Sequence, residues 1–363
     1  MNLRPLDFRS DTLTQPTAAM KEAILAAPLG DDVFSEDPTI QALQQRVADL
    51  LGKEAALFVP SGTMSNQIAI RAATSPGDEV LCEAECHIHY YEQGAPAQLS
   101  GVAMRPIQGE RGVLQPEQLI GMIRPSDDHF AQTRLICLEN THNRGGGRIQ
   151  PLDSVAGICE WAHEHGLLTH LDGARLMNAV VATGVAADQW SRHFDSVSIC
   201  FSKGLGAPVG SALAGSREFI RRCRRHRKVL GGGMRQGGII AAAALYAIEH
   251  HVERLAEDHQ NAKRLARAIS GFKGVALSLD DVQTNMIVFE ISPSLGPALE
   301  LVAALRERGV KMLAIGPQQV RAVTHLDVGR DEVDAAVEII GETLAELTAA
   351  PAQGRKALSV GEE

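Results

Sequence analysis

Residues 195–210 read DSVSICFSKGLGAPVG, and the rest of the chain is best interpreted around them. The apolar, β-rich run from Val197 to Phe201 predicts a buried strand, and Ser202, Lys203 and Gly204 then leave it in a turn. Lys203 is therefore expected at a strand end. A buried ammonium without a partner is costly, so such a lysine has a lowered pKa or is covalently modified, and both suit Schiff-base chemistry. The alternative is an exposed turn lysine.

A second buried strand is predicted by GLLTHLDGAR at residues 166–175. It ends in an aspartate, a glycine and an arginine, and an acid at the carboxyl end of a strand faces a ligand crevice. A pyridoxal phosphate (PLP) site pairs a carboxylate at the pyridine nitrogen with a lysine. The segment between Asp172 and Lys203 is long enough for one strand-crossover-strand unit. The two residues are therefore candidates for such a site.

Seven motifs run in order along the chain: DFRSDT (7–12), GDDVF (30–34), PSGTMSN (60–66), LENTHN (138–143), HLDGAR (170–175), SKGLG (202–206) and GGGMRQ (231–236). Together they resemble the threonine aldolases, close to the low-specificity L-threonine aldolases. The resemblance implies an α/β, PLP-dependent transferase-like fold (fold type I) with a mostly parallel seven-stranded sheet covered by helices and a smaller α+β C-terminal domain. It also implies cleavage of a β-hydroxy-α-amino acid, threonine or allo-threonine, to glycine and an aldehyde.

Hydrophobic periodicity independently predicts an alternation of strands and helices from residue 55 to 215, which indicates a largely parallel, doubly covered sheet. A long helical stretch is predicted at 238–269, followed by a strand at 286–291, a helix at 297–308 and a strand at 320–324. We expect four segments: an N-terminal arm at 1–40, a large PLP-binding domain at 41–245, a small domain at 246–349 and a tail at 350–363.

Composition narrows the class of protein. With 45% hydrophobic and 22% charged residues, the 363-residue chain is typical of a soluble enzyme. Its formal net charge of −9 argues against nucleic-acid or anionic-membrane partners, which need a positive field. The longest apolar run, at 239–248, is far shorter than the ~20 residues of a membrane helix, and no signal peptide is expected.

Six scattered cysteines indicate buried free thiols of a reducing compartment, so we expect a cytoplasmic protein. No metal is expected. Cys82, Cys86 and His87 lack a second Cys/His pair at finger spacing, and His87 with His89 as a metal pair is the weaker interpretation.

The start of the helix after residues 55–59 is a candidate phosphate site. Ser61, Gly62 and Thr63 follow a predicted strand, and a strand followed by small residues and a helix start directs backbone N–H groups and the helix dipole at a phosphate. The alternative is an ordinary capped helix.

The resemblance assigns further roles. It implies that His87 stacks on the PLP ring and that His142 lies near the substrate's β-hydroxyl. Ser10 and Arg321 would bind the substrate carboxylate, which an arginine grips bidentately. Arg175 would lie near the cofactor's phenolate oxygen or that carboxylate.

Lys228 and Arg235 match family positions near a partner subunit's cofactor phosphate. The resemblance therefore implies a homo-oligomer, a dimer of dimers, with the active site shared between chains. The basic cluster at 217–228 is better explained by contacts between subunits than by a nucleic-acid patch, because the chain as a whole is acidic.

Other functions remain open. β-Elimination, transamination or racemisation on the same fold would leave Lys203 and Asp172 unchanged. A non-catalytic PLP-binding protein is the more distant alternative, since it would have little need for His142 and Arg321.

Overall fold

The structure, a computed structural model, describes residues 6–349, so the predicted tail lies outside the described residues. Contacts divide the chain into two compact units. The larger unit is Thr14–Leu255, and the smaller consists of the described residues up to Leu13 together with those from Ala256 onward. The domain boundaries that the sequence suggests at residues 40, 245 and 349 remain predictions.

The strands are, in chain order, β1 Leu6–Asp7, β2 Ala55–Val59, β3 Glu79–Glu83, β4 Ala103–Ile107, β5 Thr133–Glu139, β6 Leu168–Gly173, β7 Ser196–Cys200, β8 Ser211–Gly215, β9 Val275–Ala276, β10 Met286–Ile291, β11 Val310–Lys311, β12 Leu313–Ala314 and β13 Gln319–Val323. The helices are α1 Ala18–Ala26, α2 Pro38–Leu51, α3 Gly62–Ala73, α4 His87–Tyr90, α5 Leu152–Glu164, α6 Leu176–Thr183, α7 Ala187–Ser191, α8 Arg217–Val229, α9 Gly238–His250, α10 Leu255–Ile269, α11 Ala298–Glu307 and α12 Arg330–Ala349.

The larger unit is built on a seven-stranded sheet in the order β2-β8-β7-β6-β5-β3-β4. β8 runs antiparallel to both of its neighbours, and the other pairs are parallel. The predicted mostly parallel, seven-stranded sheet is confirmed. In parallel pairs the carboxyl ends of the strands meet at one edge of the sheet, and that edge carries the candidate site.

Helices cover both faces of this sheet, which is why its inner strands are buried along nearly their whole length. Alternate residues of one strand enter different cores: Ile136 packs in the cluster that contains α2 and α5, whereas Leu135 and Cys137 pack on the opposite face with residues of α3 and α4. This division follows from the two-residue period of a strand.

Two elements differ from the sequence prediction. β4, an edge strand, was not predicted; it contains Pro106, which lacks a backbone N–H and is tolerated at a sheet edge. The helical stretch predicted at 238–269 is divided into two helices, α9 and α10. At the break the buried His251 ring donates through Nδ1 to the Leu205 carbonyl at 2.8 Å, a tertiary contact that periodicity does not report.

The smaller unit contains a four-stranded antiparallel sheet in the order β12-β13-β10-β9 and a parallel pair of β1 with β11. Its core is formed by apolar residues of α10, α11 and α12 packed on β10 and β13. The predicted strands at 286–291 and 320–324 and the helix at 297–308 are confirmed within one residue at each end. Within residues 6–349 every helix is too short or too polar to cross a membrane.

Candidate active site

The edge where β6 and β7 end brings Asp172 and Lys203 into one neighbourhood. The two strands pair in parallel, with Asp172 opposite Ser198, and Lys203 follows β7 by three residues. Lys203 is half-buried and lines a small cavity together with Gly173 and Arg175. Its carbonyl accepts a hydrogen bond from Thr14 Oγ1 at 3.0 Å, which anchors the turn.

Asp172 is a buried carboxylate with fixed donors. Oδ1 accepts from the Ala174 N–H at 3.1 Å, and Oδ2 accepts from Asn66 Nδ2 at 2.8 Å. Burial alone would raise the pKa of Asp172, but the charges of His87 and Lys203 and the Asn66 hydrogen bond outweigh it and leave the pKa below its usual value. The structure therefore holds an anionic acid at the carboxyl end of β6.

His87 begins α4 and is half-buried beside Asp172. Its backbone N–H donates to Glu139 Oε2 at 2.7 Å, and its ring Nδ1 lies 2.9 Å from Glu92 Oε1. Burial lowers the pKa of His87, whereas Glu92 and Asp172 raise it, and the net direction is upward. The Tyr91 ring packs against the imidazole with centroids 5.6 Å apart.

A buried hydrogen-bond chain connects these groups to β6 and α3. Asn66 Nδ2 donates to both Glu92 and Asp172, so Asn66 Oδ1 is left to accept from His170 Nε2 at 3.1 Å. His170 Nδ1 then accepts from Ser196 Oγ at 2.9 Å. Burial lowers the pKa of His170 to about 4, which favours the neutral ring near neutral pH.

One ligand atom from each of His87, Glu92 and Asp172 lies within 4.8 Å of the others, a spacing that also suits a metal ion. The Asn66 amide nitrogen donates to both carboxylates of this group. Hydrogen bonding therefore accounts for the cluster without a cation.

The start of α3 is placed against the end of β7. Ser61 caps the helix by accepting from the Met64 N–H at 3.2 Å, and Ser65 Oγ lies 2.6 Å from Ser198 Oγ. A Cβ on Gly62 would lie 2.7 Å from Cys200 Sγ, so only glycine permits this close approach. Ser61 and Thr63 are exposed, which leaves the helix N-terminus open to an anion.

His142 is buried, with both ring nitrogens engaged. Nε2 donates to Glu83 Oε2 at 3.0 Å, and Nδ1 accepts from the Gly145 N–H at 3.0 Å. Burial lowers the pKa of His142, but Glu139, Glu83 and Glu85 raise it overall. The Gly145 bond needs an unprotonated Nδ1, so in this conformation the ring is neutral and protonation would displace Gly145.

Ser10 and Arg321 both belong to the smaller unit, where β13 carries Arg321. Arg321 Nη2 donates to the Arg9 carbonyl at 3.3 Å, which brings the guanidinium next to the residue before Ser10. The hydroxyl of Ser10 accepts from Thr12 Oγ1 at 2.8 Å. Their predicted role toward a carboxylate stays a prediction.

Lys228 and Arg235 lie on the surface of the larger unit, at the end of α8 and after the triple glycine. Arg235 Nη1 pairs with Asp31 Oδ2 at 2.9 Å, and its side chain is 60% exposed. These residues are therefore accessible, and their role toward a partner subunit stays a prediction.

Sequence reasoning missed Glu92, Asn66 and His170. One signal was available, because His170 and Asp172 are two residues apart on one strand and so share a face. No local pattern marks Glu92, whose importance arises from its contacts with Asn66 and Gln67, 26 and 25 residues earlier in the chain.

Comparison with known proteins agrees with this geometry. Residues 7–292 match the family model described as Beta-eliminating lyase. Low-specificity L-threonine aldolase 1 of Arabidopsis thaliana is 41% identical over 338 residues, covering 92% of this chain and 94% of that protein. The low specificity L-threonine aldolase of Escherichia coli is 42% identical over 331 residues, covering 90% of this chain and 96% of that protein.

Solved structures share the fold. Threonine aldolase of Leishmania major superposes with a TM-score of 0.79 at 21% identity, covering 94% of this chain and 100% of that one. Serine palmitoyltransferase of Sphingomonas wittichii superposes with a TM-score of 0.74 at 17% identity, covering 95% of this chain and 88% of that one. The family model spans most of the chain, and the relatives match it over nearly their whole length. This chain therefore belongs to the beta-eliminating lyase family and, within it, to the low-specificity L-threonine aldolases.

Proposed function

We propose that this protein is a PLP-dependent lyase that cleaves the Cα–Cβ bond of L-threonine and L-allo-threonine, giving glycine and acetaldehyde. The observation that carries the proposal is the anionic Asp172 beside Lys203 at adjacent strand ends, in a chain of the threonine aldolase family. A buried acid with a lowered pKa suits a protonated pyridine nitrogen, which needs a counter-charge.

The residues present fit the cofactor. Lys203 would hold it covalently, Asp172 would bind its ring nitrogen, and His87 would stack on its ring. Its phosphate would lie at the open N-terminus of α3, formed by Ser61, Gly62 and Thr63. When bound, PLP supplies the electron sink for the breaking bond.

Arg321 and Ser10 are proposed to bind the substrate carboxylate, with Arg175 near the phenolate oxygen or the same carboxylate. A guanidinium forks onto a carboxylate through two parallel hydrogen bonds, which fixes its orientation as well as its charge. Holding the carboxylate decides which substrate bond is broken, because only the bond perpendicular to the ring plane passes its electrons into the ring.

His142 is proposed to assist the departure of the hydroxyl proton, directly or through water. Since Nε2 is bonded to Glu83, the proton must be received at Nδ1 after the Gly145 N–H has left that atom. General-base help of this kind is worth typically ~10²–10⁴ in rate. One histidine contacting one oxygen distinguishes β-epimers weakly, so both epimers are expected to react.

The finer aspects of the biology are also proposals. The protein would act in the cytoplasm in threonine breakdown and glycine formation, as a homotetramer in which Lys228 and Arg235 reach the cofactor phosphate of a partner subunit. Its substrate is a small amino acid. The acidic net charge of −9 is unfavourable for a nucleic-acid partner.

A product assay tests the function. Incubation with L-threonine should release acetaldehyde and glycine in equal amounts, whereas D-threonine should be inert and Lys203→Ala should release neither product. Borohydride reduction of the wild-type holoenzyme should leave PLP attached to Lys203. Formation of 2-oxobutanoate and ammonia would instead identify an eliminating enzyme, and absence of both product sets would favour a non-catalytic PLP binder.

A further inference from the structure

Glu92 is a fully buried carboxylate that accepts three hydrogen bonds. Oε1 accepts from His87 Nδ1 and from Asn66 Nδ2, both at 2.9 Å, and Oε2 accepts from Gln67 Nε2 at 2.6 Å. An ionised carboxylate only accepts, so all three partners must be donors. His87 therefore carries a proton on Nδ1, and Nε2 is the ring nitrogen that titrates.

Asn66 couples Glu92 to Asp172. Its amide nitrogen donates one hydrogen to each acid, at 2.9 Å and 2.8 Å, while its oxygen accepts from His170 Nε2. Rotating the amide would point its oxygen at two carboxylates, so the orientation is determined by its surroundings. The two acids are thus held close together with a shared donor between them, and neither can change charge without affecting Asn66.

We propose that Glu92 is a positioning residue for the reaction: it fixes the ring of His87 through Nδ1 and, through Asn66, fixes the orientation of Asp172. This inference rests on the proposed function, in which His87 and Asp172 contact PLP. Glu92 acts through these two residues and has no role of its own toward the substrate.

The groups that face His87 predict the consequence of neutralising Glu92. They are the carboxylates Glu92 and Asp172, the Glu139 carboxylate at the His87 backbone N–H, the ammonium of Lys203 and the ring of Tyr91. Glu92 and Asp172 favour the imidazolium and Lys203 opposes it, so removal of the Glu92 charge shifts the balance toward neutral His87. The NH₂ group of a glutamine at this position faces either the Gln67 donor or the His87 and Asn66 donors, and in the second orientation it disturbs Asn66 and, with it, Asp172.

The test compares holoenzymes of the wild type, Glu92→Gln, Glu92→Asp and a control, Glu117→Gln, an exposed acid outside the site. His87 is titrated by NMR on ¹³C-histidine-labelled protein, with its signal assigned by its loss in His87→Asn. In Glu92→Gln the midpoint should fall by about 1–3 pH units, because an opposite charge has been removed. Glu92→Asp keeps the charge, so its midpoint should stay above that of Glu92→Gln.

PLP affinity gives a second readout. Loss of a charge-assisted hydrogen bond should raise the PLP dissociation constant of Glu92→Gln about tenfold or more, whereas Glu117→Gln should match the wild type. If Glu92→Gln does not fold, Asn66→Ala serves instead: it should weaken PLP binding while leaving the His87 midpoint high. The inference would be overturned by an unchanged His87 midpoint in Glu92→Gln, or by an unchanged PLP affinity in both Glu92→Gln and Asn66→Ala.

The proposed function can fail independently of the role proposed for Glu92. If the wild-type protein binds PLP but releases no acetaldehyde from L-threonine, the aldolase reaction is wrong, whereas the NMR and affinity results still decide the role of Glu92. If cleavage proceeds and Glu92→Gln behaves like Glu117→Gln, only the role of Glu92 is wrong.

Discussion

At the scale of single residues, the buried acids of the candidate site keep their charge because each has fixed donors. Glu83 illustrates this: it accepts from the Glu85 N–H at 2.6 Å, from the Gly109 N–H at 3.2 Å and from His142. Burial would raise the pKa of Glu83, but these hydrogen bonds lower it overall. Asp172 follows the same rule, so both acids remain ionised near neutral pH.

Arg321→Lys is expected to weaken substrate binding more than it slows turnover. A lysine keeps the charge but loses the bidentate fork, and a charge-assisted hydrogen bond contributes ~1.5–3 kcal/mol, so apparent affinity for L-threonine should fall about tenfold or more. Steady-state kinetics at constant pH would measure this. Arg306→Lys, an exposed position on α11, is the control. An unchanged KM in Arg321→Lys would assign the carboxylate to another arginine, with Arg175 tested next.

At the scale of elements, a buried ion pair anchors the GDDVF segment to α8. Arg227 and Asp32 are each 3% exposed, and the guanidinium also donates from Nη1 to the Phe58 carbonyl of β2 at 2.8 Å. Burial lowers the pKa of Arg227, and Asp32 offsets part of that effect. One arginine thereby joins a turn, a helix and an edge strand of the main sheet.

Asp32→Asn should destabilise the protein by about 3–5 kcal/mol, because it leaves the Arg227 charge buried without its partner. Glu218→Gln is the matched control: it makes the same acid-to-amide change in an exposed pair with Arg221 on α8, and it should leave the free energy of unfolding nearly unchanged. Urea unfolding of both variants gives the comparison. Equal losses would show that the buried pair does not anchor this segment.

At the scale of the whole molecule, the basic residues of α8 do not form a uniform positive surface. Arg227 is buried against Asp32, Arg224 donates to the Asp32 carbonyl, and Arg221 pairs with Glu218. Arg217, Arg222, Arg225 and Lys228 are exposed. Contacts between subunits at α8 stay a prediction, and the net charge of −9 is unfavourable for a nucleic-acid partner.

Mixing two variants would test whether the active site is shared. Lys203→Ala removes the proposed covalent anchor and Arg235→Ala the proposed phosphate contact, so each alone should be nearly inactive. If the two residues act in one site from different chains, random reassociation of equal amounts should restore about a quarter of wild-type activity, through hybrids with one intact site. Arg225→Ala, an exposed neighbour, should remain active alone. No recovery on mixing would place both residues in the same chain's site.

Much of the fold was predictable from local pattern. The strand β2 matches its predicted bounds, because a short apolar run between turn residues is marked by composition alone. The alternation of strands and helices then required a mostly parallel sheet. Asp172 and Lys203 could be identified as candidate site residues for the same reason. Each lies at the end of a recognisable buried strand, and their motifs are specific to one family.

The remaining features depended on contacts between residues distant in sequence. The break at His251, the edge strand β4 and the bonding of both His142 nitrogens have no local signal. Glu92 looks like an ordinary surface acid in the sequence, yet the fold buries it against Asn66 and His87. Periodicity reports which face of an element is apolar. Only the packed structure decides which buried polar groups share a hydrogen bond, because that choice is made by donors and acceptors brought together from different strands and helices.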